Sequence, residues 1–247
     1  METLIVTGGG RGIGAAIAER AAERGYRVIV NFATSERGAN EVVERIAARG
    51  GSARAVAGNV AIEQDVLRMF DVARETFGEV TALVNNAGVT GGGARLDELP
   101  ARTLERVLAV NVSGSVLCAR EAVRRMSTRR GGRGGAIVNV SSLAARIGGG
   151  GEWIHYALSK GAIDTLTIGL AREVALEGIR VNAVAPGLID TDIHTTSSIP
   201  QRLTTMIPSV PMARAGTADE VAEVVLFLLS PAAAYVTGAI VPVGGGR

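Results

Sequence analysis

Short β-branched runs alternate with longer amphipathic stretches along all 247 residues, and that alternation restricts the chain to very few folds. Leu4–Thr7 reads as a strand and Gly12–Arg24 as a helix. Arg27–Asn31 and Glu36–Arg49 repeat the pair, the helix stopping at Gly50-Gly51. A weaker strand over Ala53–Gly58 precedes a helix over Ile62–Phe77. Thr81–Asn85 is a fourth strand with a long helix over Ala101–Thr128 after it, and Gly135–Ser141 a fifth with a helix over Tyr156–Glu177. Ile179–Ala185 and Ala239–Val243 add two more, with a helix over Asp219–Leu229 between them. Strands separated by helices of this length need right-handed crossovers, so the sheet is expected to be parallel and covered on both faces. No segment of linker composition divides the chain. The expectation is one α/β domain over 1–247, a doubly wound, Rossmann-like sheet of seven strands, with the arginine- and glycine-rich Arg124–Gly135 as a surface turn.

Composition narrows the class further. Hydrophobic residues are 47% of the chain and aromatics only 3%, which makes the core aliphatic, and 33 glycines imply many tight turns. A net charge of +2 is too small to suggest nucleic acid or an anionic membrane as partner. Cys118 is the only cysteine, so no intrachain disulfide forms. The chain starts directly in a strand pattern, with no leader-like segment and no apolar run long enough to span a bilayer; a cytoplasmic protein is expected.

Five local patterns carry chemistry. The first strand runs into T-G-G-G-R-G-I-G, with Gly8, Gly10, Arg11, Gly12, Ile13 and Gly14 ahead of the first helix. A loop without side chains lets a pyrophosphate approach the backbone, and the helix N-terminus favours its charge. Asn85-Asn86-Ala87-Gly88 closes the fourth strand at the carboxyl edge of the sheet, where ligands of open α/β folds bind; such asparagines also simply cap turns. Asn111 is an amide on an otherwise apolar helical stretch and needs a buried partner. Ser141 and Ser142 end the fifth strand at the same edge. Tyr156 and Lys160 stand four residues apart, so both project from one helix face, where an ammonium favours phenolate and lowers the tyrosine pKa. A half-buried tyrosine beside a solvated lysine gives the same spacing.

Taken together and in order, these motifs, with Pro186-Gly187, resemble the short-chain dehydrogenase/reductase family over essentially the whole chain. The resemblance implies hydride transfer between a nicotinamide dinucleotide and a carbonyl or secondary alcohol. It makes Tyr156 the general acid/base, Lys160 the group that tunes the phenol and binds the nicotinamide ribose, and Ser142 the donor to the substrate oxygen. Asn111 would hold a water linking Lys160 to solvent. Asn86, Ala87 and Gly88 would line the cofactor crevice, and Pro186, Gly187, Ile189 and Thr191 would fix the carboxamide. It also implies a homotetramer paired through the Ala101–Thr128 and Tyr156–Glu177 helices.

Three positions depart from the family pattern. Ser142 precedes Tyr156 by fourteen residues where thirteen is common, which keeps Ser141 in reserve. The adenine-contacting aspartate is Asn59, followed by Val60. The aspartate usual before the C-terminal glycines is Val243. The second strand ends Asn31-Phe32-Ala33 with no acid before Glu36, while Arg11 and Ser35 suit a 2′-phosphate, so NADP(H) is expected over NAD(H). Asp192–Met212, rich in threonine and broken by prolines, is expected to form a mobile lid, with Trp153, His155 and His194 at the pocket. Two distant histidines make a metal site an unneeded assumption. Arg129, Arg130 and Arg133 could meet an acidic acyl carrier protein, although a solvated turn accounts for them better, and Glu173 and Glu177 would repel such a partner. A small free ketone, sugar or alcohol is therefore the expected substrate, with a 3-oxoacyl carrier-protein reductase and a turnover-silent dinucleotide sensor as alternatives.

Overall fold

Inside each strand, successive aliphatic residues face opposite layers, and this alternation builds two cores on one sheet. The computed structural model describes residues 2–191, 199 and 201–247. Strands β1 (Thr3–Val6), β2 (Arg27–Phe32), β3 (Ser52–Ala57), β4 (Val80–Asn85), β5 (Gly135–Val140), β6 (Ile179–Pro186) and β7 (Ile240–Val243) pair in the order β3-β2-β1-β4-β5-β6-β7. Every pairing is parallel. On one face Leu4, Val6, Val28, Val30, Val84 and Val138 pack with helices α1 (Gly12–Glu23), α2 (Glu36–Ala48) and α9 (Ala218–Leu229). On the other, Ile5, Ile29, Leu83 and Ile137 meet α3 (Glu63–Phe77), α5 (Gly114–Met126) and α7 (Ile154–Val174). Strands buried on both sides are nearly uninterrupted apolar runs, which is why they were legible as strands. The order reverses between β1 and β4, and the crevice beyond their carboxyl ends is where such sheets hold ligands.

The expected long helix over Ala101–Thr128 runs unbroken from Ala101 to Met126 but is not α-helical throughout. It is α4 (Ala101–Leu108), a π-turn over Ala109–Ser113, and then α5. The wider turn is centred on Asn111, whose buried amide is satisfied across the crevice rather than within the helix. Two further one-turn helices, α6 (Ala144–Ile147) and α8 (Arg202–Met206), are too short to show a period in sequence. The start of α9 was written more plainly: Thr217 and Glu220 form a reciprocal capping box. Of the expected lid, residues 192–198 and 200 lie outside the described residues, and His194 with them. Its remainder forms α8 and a turn over Ile207–Ser209. Val243, in place of the acid, ends β7 opposite Pro186 and packs on the α9 side of the core.

Candidate active site

The glycine loop is shaped by close approach. Gly8 (φ +62°) and Gly12 (φ +53°) adopt left-handed backbone that favours glycine. A Cβ on Gly14 would lie 2.4 Å from the Gly8 carbonyl oxygen and 2.5 Å from Asn86 Nδ2, so no side chain fits there. Arg11 is the extended N-cap residue of α1 and is exposed. The first turn of α1 carries no acid and no side-chain cap, which leaves its N–H groups available to an anion. Thr191 leans over from the loop after β6, 3.6 Å from where a Gly12 Cβ would sit. A backbone cradle flanked by a cation and a hydroxyl fits the pyrophosphate of a dinucleotide.

The β4 loop is stitched to this cradle. Thr7 Oγ1 accepts from the Asn86 and Ala87 N–H groups, each at 3.0 Å. Asn86 Nδ2 donates to the carbonyls of Thr7 (2.9 Å) and Gly8 (3.0 Å). Beyond it, Gly88 is exposed, and a Cβ there would come within 3.4 Å of Asn111 Oδ1 and 3.5 Å of Lys160 Nζ. Asn111 Oδ1 accepts from Val89 N–H at 2.8 Å while its Nδ2 donates to the Val89 carbonyl and to Ser159 Oγ, both at 2.9 Å. The π-turn thus aims Asn111 at the loop beside Lys160.

Tyr156 and Lys160 lie on the first turns of α7, both buried. Lys160 Nζ is 5.6 Å from the Tyr156 ring centroid and donates to the Val140 carbonyl at 2.7 Å. Ser142 is the serine that acts on the phenol, working to lower its pKa. Ser141 is instead fully buried beneath, donating to Asp164 Oδ1 and to the Lys160 carbonyl. The expected lowering of the tyrosine pKa is not what the structure gives. Burial pushes the phenol up to about 12, with Ser142 working the other way. Burial also takes Lys160 down to about 8, opposed by the Asp164 charge. Desolvation outweighs the pair because the ammonium is itself destabilised and is directed at Val140.

Other candidate positions support the cradle from behind. Asn31 is buried; its Nδ2 donates to the Val56 and Gly58 carbonyls, and its Oδ1 accepts from Gly8 N–H at 3.4 Å. Asn59 Oδ1 accepts from Ala61 N–H at 3.0 Å, capping the turn into α3, and Val60 is buried against Gly114. Ser35 stands at the N-cap position of α2 without a side-chain cap bond, its Oγ 2.7 Å from where a Gly38 Cβ would sit, beside the Gly10 carbonyl. Pro186 and Ile189 are buried, and Gly187 is held against Gly244. Trp153 packs edge-on against Tyr156, but His155 turns away, its Nε2 bonded to the Thr90 carbonyl at 2.8 Å. His155 therefore ties down a loop rather than lining a pocket.

The basic cluster is in the wrong place for its expected role. Arg129, Arg130 and Arg133 precede β5 and so lie at the amino edge of the parallel sheet, opposite Tyr156. With Arg74, Arg124 and Arg125, the last two of this trio line a cavity of about 450 Å³ there. Arg129 pairs with Glu177 at 3.4 Å. Neither the arginines nor Glu177 faces the site entrance, so both charge arguments about a carrier protein fall. Sequence reasoning missed Asp164, legible as a third member of the Tyr156-Lys160 four-residue ladder. It also missed Glu152 and Arg202, which no local pattern joins.

A glycine cradle at the switch point of a parallel sheet, facing a buried tyrosine and lysine, defines a dinucleotide-dependent oxidoreductase of the doubly wound class. A family model described as enoyl-(acyl carrier protein) reductase matches residues 8–247, and the chain belongs to the short-chain dehydrogenase/reductase family. It is 46% identical over its full length, and the relative's, to an uncharacterized oxidoreductase, YgfF, of Escherichia coli. It is 38% identical to the 3-oxoacyl-[acyl-carrier-protein] reductase FabG of Staphylococcus aureus, over 99% of this chain and 97% of the relative. It is 37% identical to glucose 1-dehydrogenase 2 of Bacillus subtilis, over 99% and 94%. A crystal structure of a Sinorhizobium meliloti dehydrogenase/reductase superposes with a TM-score of 0.91 at 32% identity, covering 99% of this chain and 94% of that one. The protein is accordingly an NAD(P)-dependent enzyme acting on CH–OH groups. Among the described residues, no helix is long and apolar enough to cross a membrane and no cluster of His, Cys, Asp and Glu could hold a metal.

Proposed function

We propose that the protein reduces a small carbonyl compound, or oxidises the corresponding secondary alcohol, with NADP(H) as the hydride partner. The dinucleotide supplies or accepts hydride at the substrate carbon. The observation that carries the reading is Tyr156 buried on α7 with Lys160 one turn on, its Nζ 5.6 Å from the ring centroid, beside the glycine cradle. In reduction the Tyr156 hydroxyl gives its proton to the substrate oxygen, oriented by Ser142, and is reprotonated through Lys160 and a water held near Asn111. A phenol kept protonated by burial suits this direction. Screening ketones, sugars and alcohols by nicotinamide absorbance tests the reading; an absence of turnover across the panel would leave the sensor alternative.

NADP(H) preference rests on Arg11 and Ser35 at the cradle and on the absence of an acid between Asn31 and Glu36. Asn31 Nδ2 is held to backbone carbonyls and its Oδ1 faces Gly8 N–H, so no carboxylate stands at that strand end to accept a ribose 2′-hydroxyl or repel a 2′-phosphate. The ratio of kcat/KM for NADPH over NADH is expected to exceed about tenfold, a difference of about 1.4 kcal/mol, and to shrink in Arg11→Ala; a tenfold preference for NADH would reverse the assignment. A second reading, reduction of 3-oxoacyl groups on a carrier protein, is favoured by the identity to FabG.

A homotetramer is proposed on the family likeness and on apolar side chains left outward on α5 and α7: Val116, Leu158 and Ile168 are 41%, 56% and 38% exposed. Light scattering should give the mass of four chains, and a monomer would refute it.

A further inference from the structure

Trp153 is the only tryptophan of the chain and stands between a cation and the phenol. Its ring meets the Tyr156 ring edge-on, with centroids 5.7 Å apart and planes at 65°. The Arg202 guanidinium lies over the Trp153 ring, 4.0 Å from its centroid, and Arg202 Nη1 pairs with Glu152, the residue before the tryptophan. Both charged side chains are shielded, 11% and 9% exposed. Fifty positions separate the ion pair in sequence, so it joins the first residue of α8 to the entry of the catalytic helix. Arg202 Nε is buried without a hydrogen-bond partner. The guanidinium is therefore held by one carboxylate and one aromatic face, and its place is not set by saturating its donors. Indole is the best aromatic partner for a cation, and a shielded ion pair is costly to break from one side.

We propose that Arg202 is a positioning residue for the reaction: stacked on Trp153 and paired with Glu152, it fixes the indole against which the Tyr156 ring is set. This rests on the catalytic reading of Tyr156 above. A ring wedged between a clamped indole and the start of its own helix keeps its hydroxyl directed at the substrate oxygen, and small displacements of reacting groups are expensive in rate. The clamp also ties α8, on the chain between β6 and α9, to the turn that carries the phenol.

The test uses the full-length protein and the variants Arg202→Met, Arg202→Lys and Glu152→Gln. Arg202→Met keeps the volume and loses the charge. Its kcat is expected to fall about tenfold or more, with substrate KM, cofactor affinity and cofactor-binding stoichiometry within about twofold of the parent. The Trp153 emission should change, since its cationic neighbour is gone. Arg202→Lys restores the ion pair but not the planar stack and should recover part of kcat. A merely structural arginine would lower thermal stability or the active fraction, leaving kcat per cofactor-binding site intact, and that pattern overturns the proposal. So would unchanged emission and unchanged kcat in a folded Arg202→Met. If that variant does not fold, Glu152→Gln decides, with the same expected direction. If the parent turns over no carbonyl or alcohol, the functional reading fails by itself, and the emission of the variants still judges the clamp.

Discussion

Tyr156→Phe is expected to lower turnover by about 10²–10⁴-fold, the range that a positioned general acid contributes, while leaving cofactor affinity unchanged. The substitution removes one oxygen from a buried ring whose packing against Trp153 is otherwise retained. The pH dependence gives an independent check. Because burial holds the phenol up to about 12, it is protonated at neutral pH, the form that carbonyl reduction needs. Lys160, brought down to about 8, loses its charge first, so reduction should be full below that value and decline as pH rises through it. Alcohol oxidation needs the phenolate and should rise with pH only as it approaches the phenol's value of about 12. In Tyr156→Phe that rise should vanish. Initial rates in both directions across neutral and alkaline pH settle the matter; a phenylalanine variant as active as the parent would remove the tyrosine from the chemistry.

Gly14→Ala is expected to disable the cradle. The added methyl would stand 2.4 Å from the Gly8 carbonyl oxygen and 2.5 Å from Asn86 Nδ2, a backbone group and a side chain fixed by two hydrogen bonds. Neither neighbour can yield without opening the β1–β4 stitch at Thr7. Overpacking of this kind costs about 1–3 kcal/mol, and here the loop that moves is the proposed phosphate site. Thermal unfolding should show the lower stability, and titration of Trp153 fluorescence with NADPH should show at least a tenfold weaker Kd, about 1.4 kcal/mol. Gly12→Ala provides the contrast. Its Cβ would meet only Thr191, at 3.6 Å, and its cost is the strained φ of +53°, about 1–2 kcal/mol. Equal NADPH affinity in Gly14→Ala and the parent would mean that the loop does not hold the dinucleotide.

Much of this was legible in residue order because the determinants are local. Nearly uninterrupted apolar runs within strands, the glycines at the entry to α1 and the four-residue step from Tyr156 to Lys160 all act over one or two turns of chain. Such short-range signals determined the seven strands, the parallel sheet and the carboxyl edge as the site. They also marked Asn111, although not the π-turn that aims it, because its partners Val89 and Ser159 belong to other elements.

Only the assembled structure decided questions of direction and surroundings. Two adjacent serines differ solely in which face of β5 they leave, and the fold sent Ser142 to the phenol and Ser141 under it to Asp164. A charge has a sign in sequence but no location: the arginines before β5 came to rest at the edge opposite the site. The acidity of Tyr156 was misjudged from its lysine neighbour alone, since spacing reports proximity and says nothing of the water excluded when β5, α7 and Trp153 close around both. Arg202 reached Glu152 across fifty residues, a contact made by chain folding and written in no local pattern. Propensity and periodicity act between near neighbours, whereas desolvation and long-range pairing exist only once distant segments have been packed together.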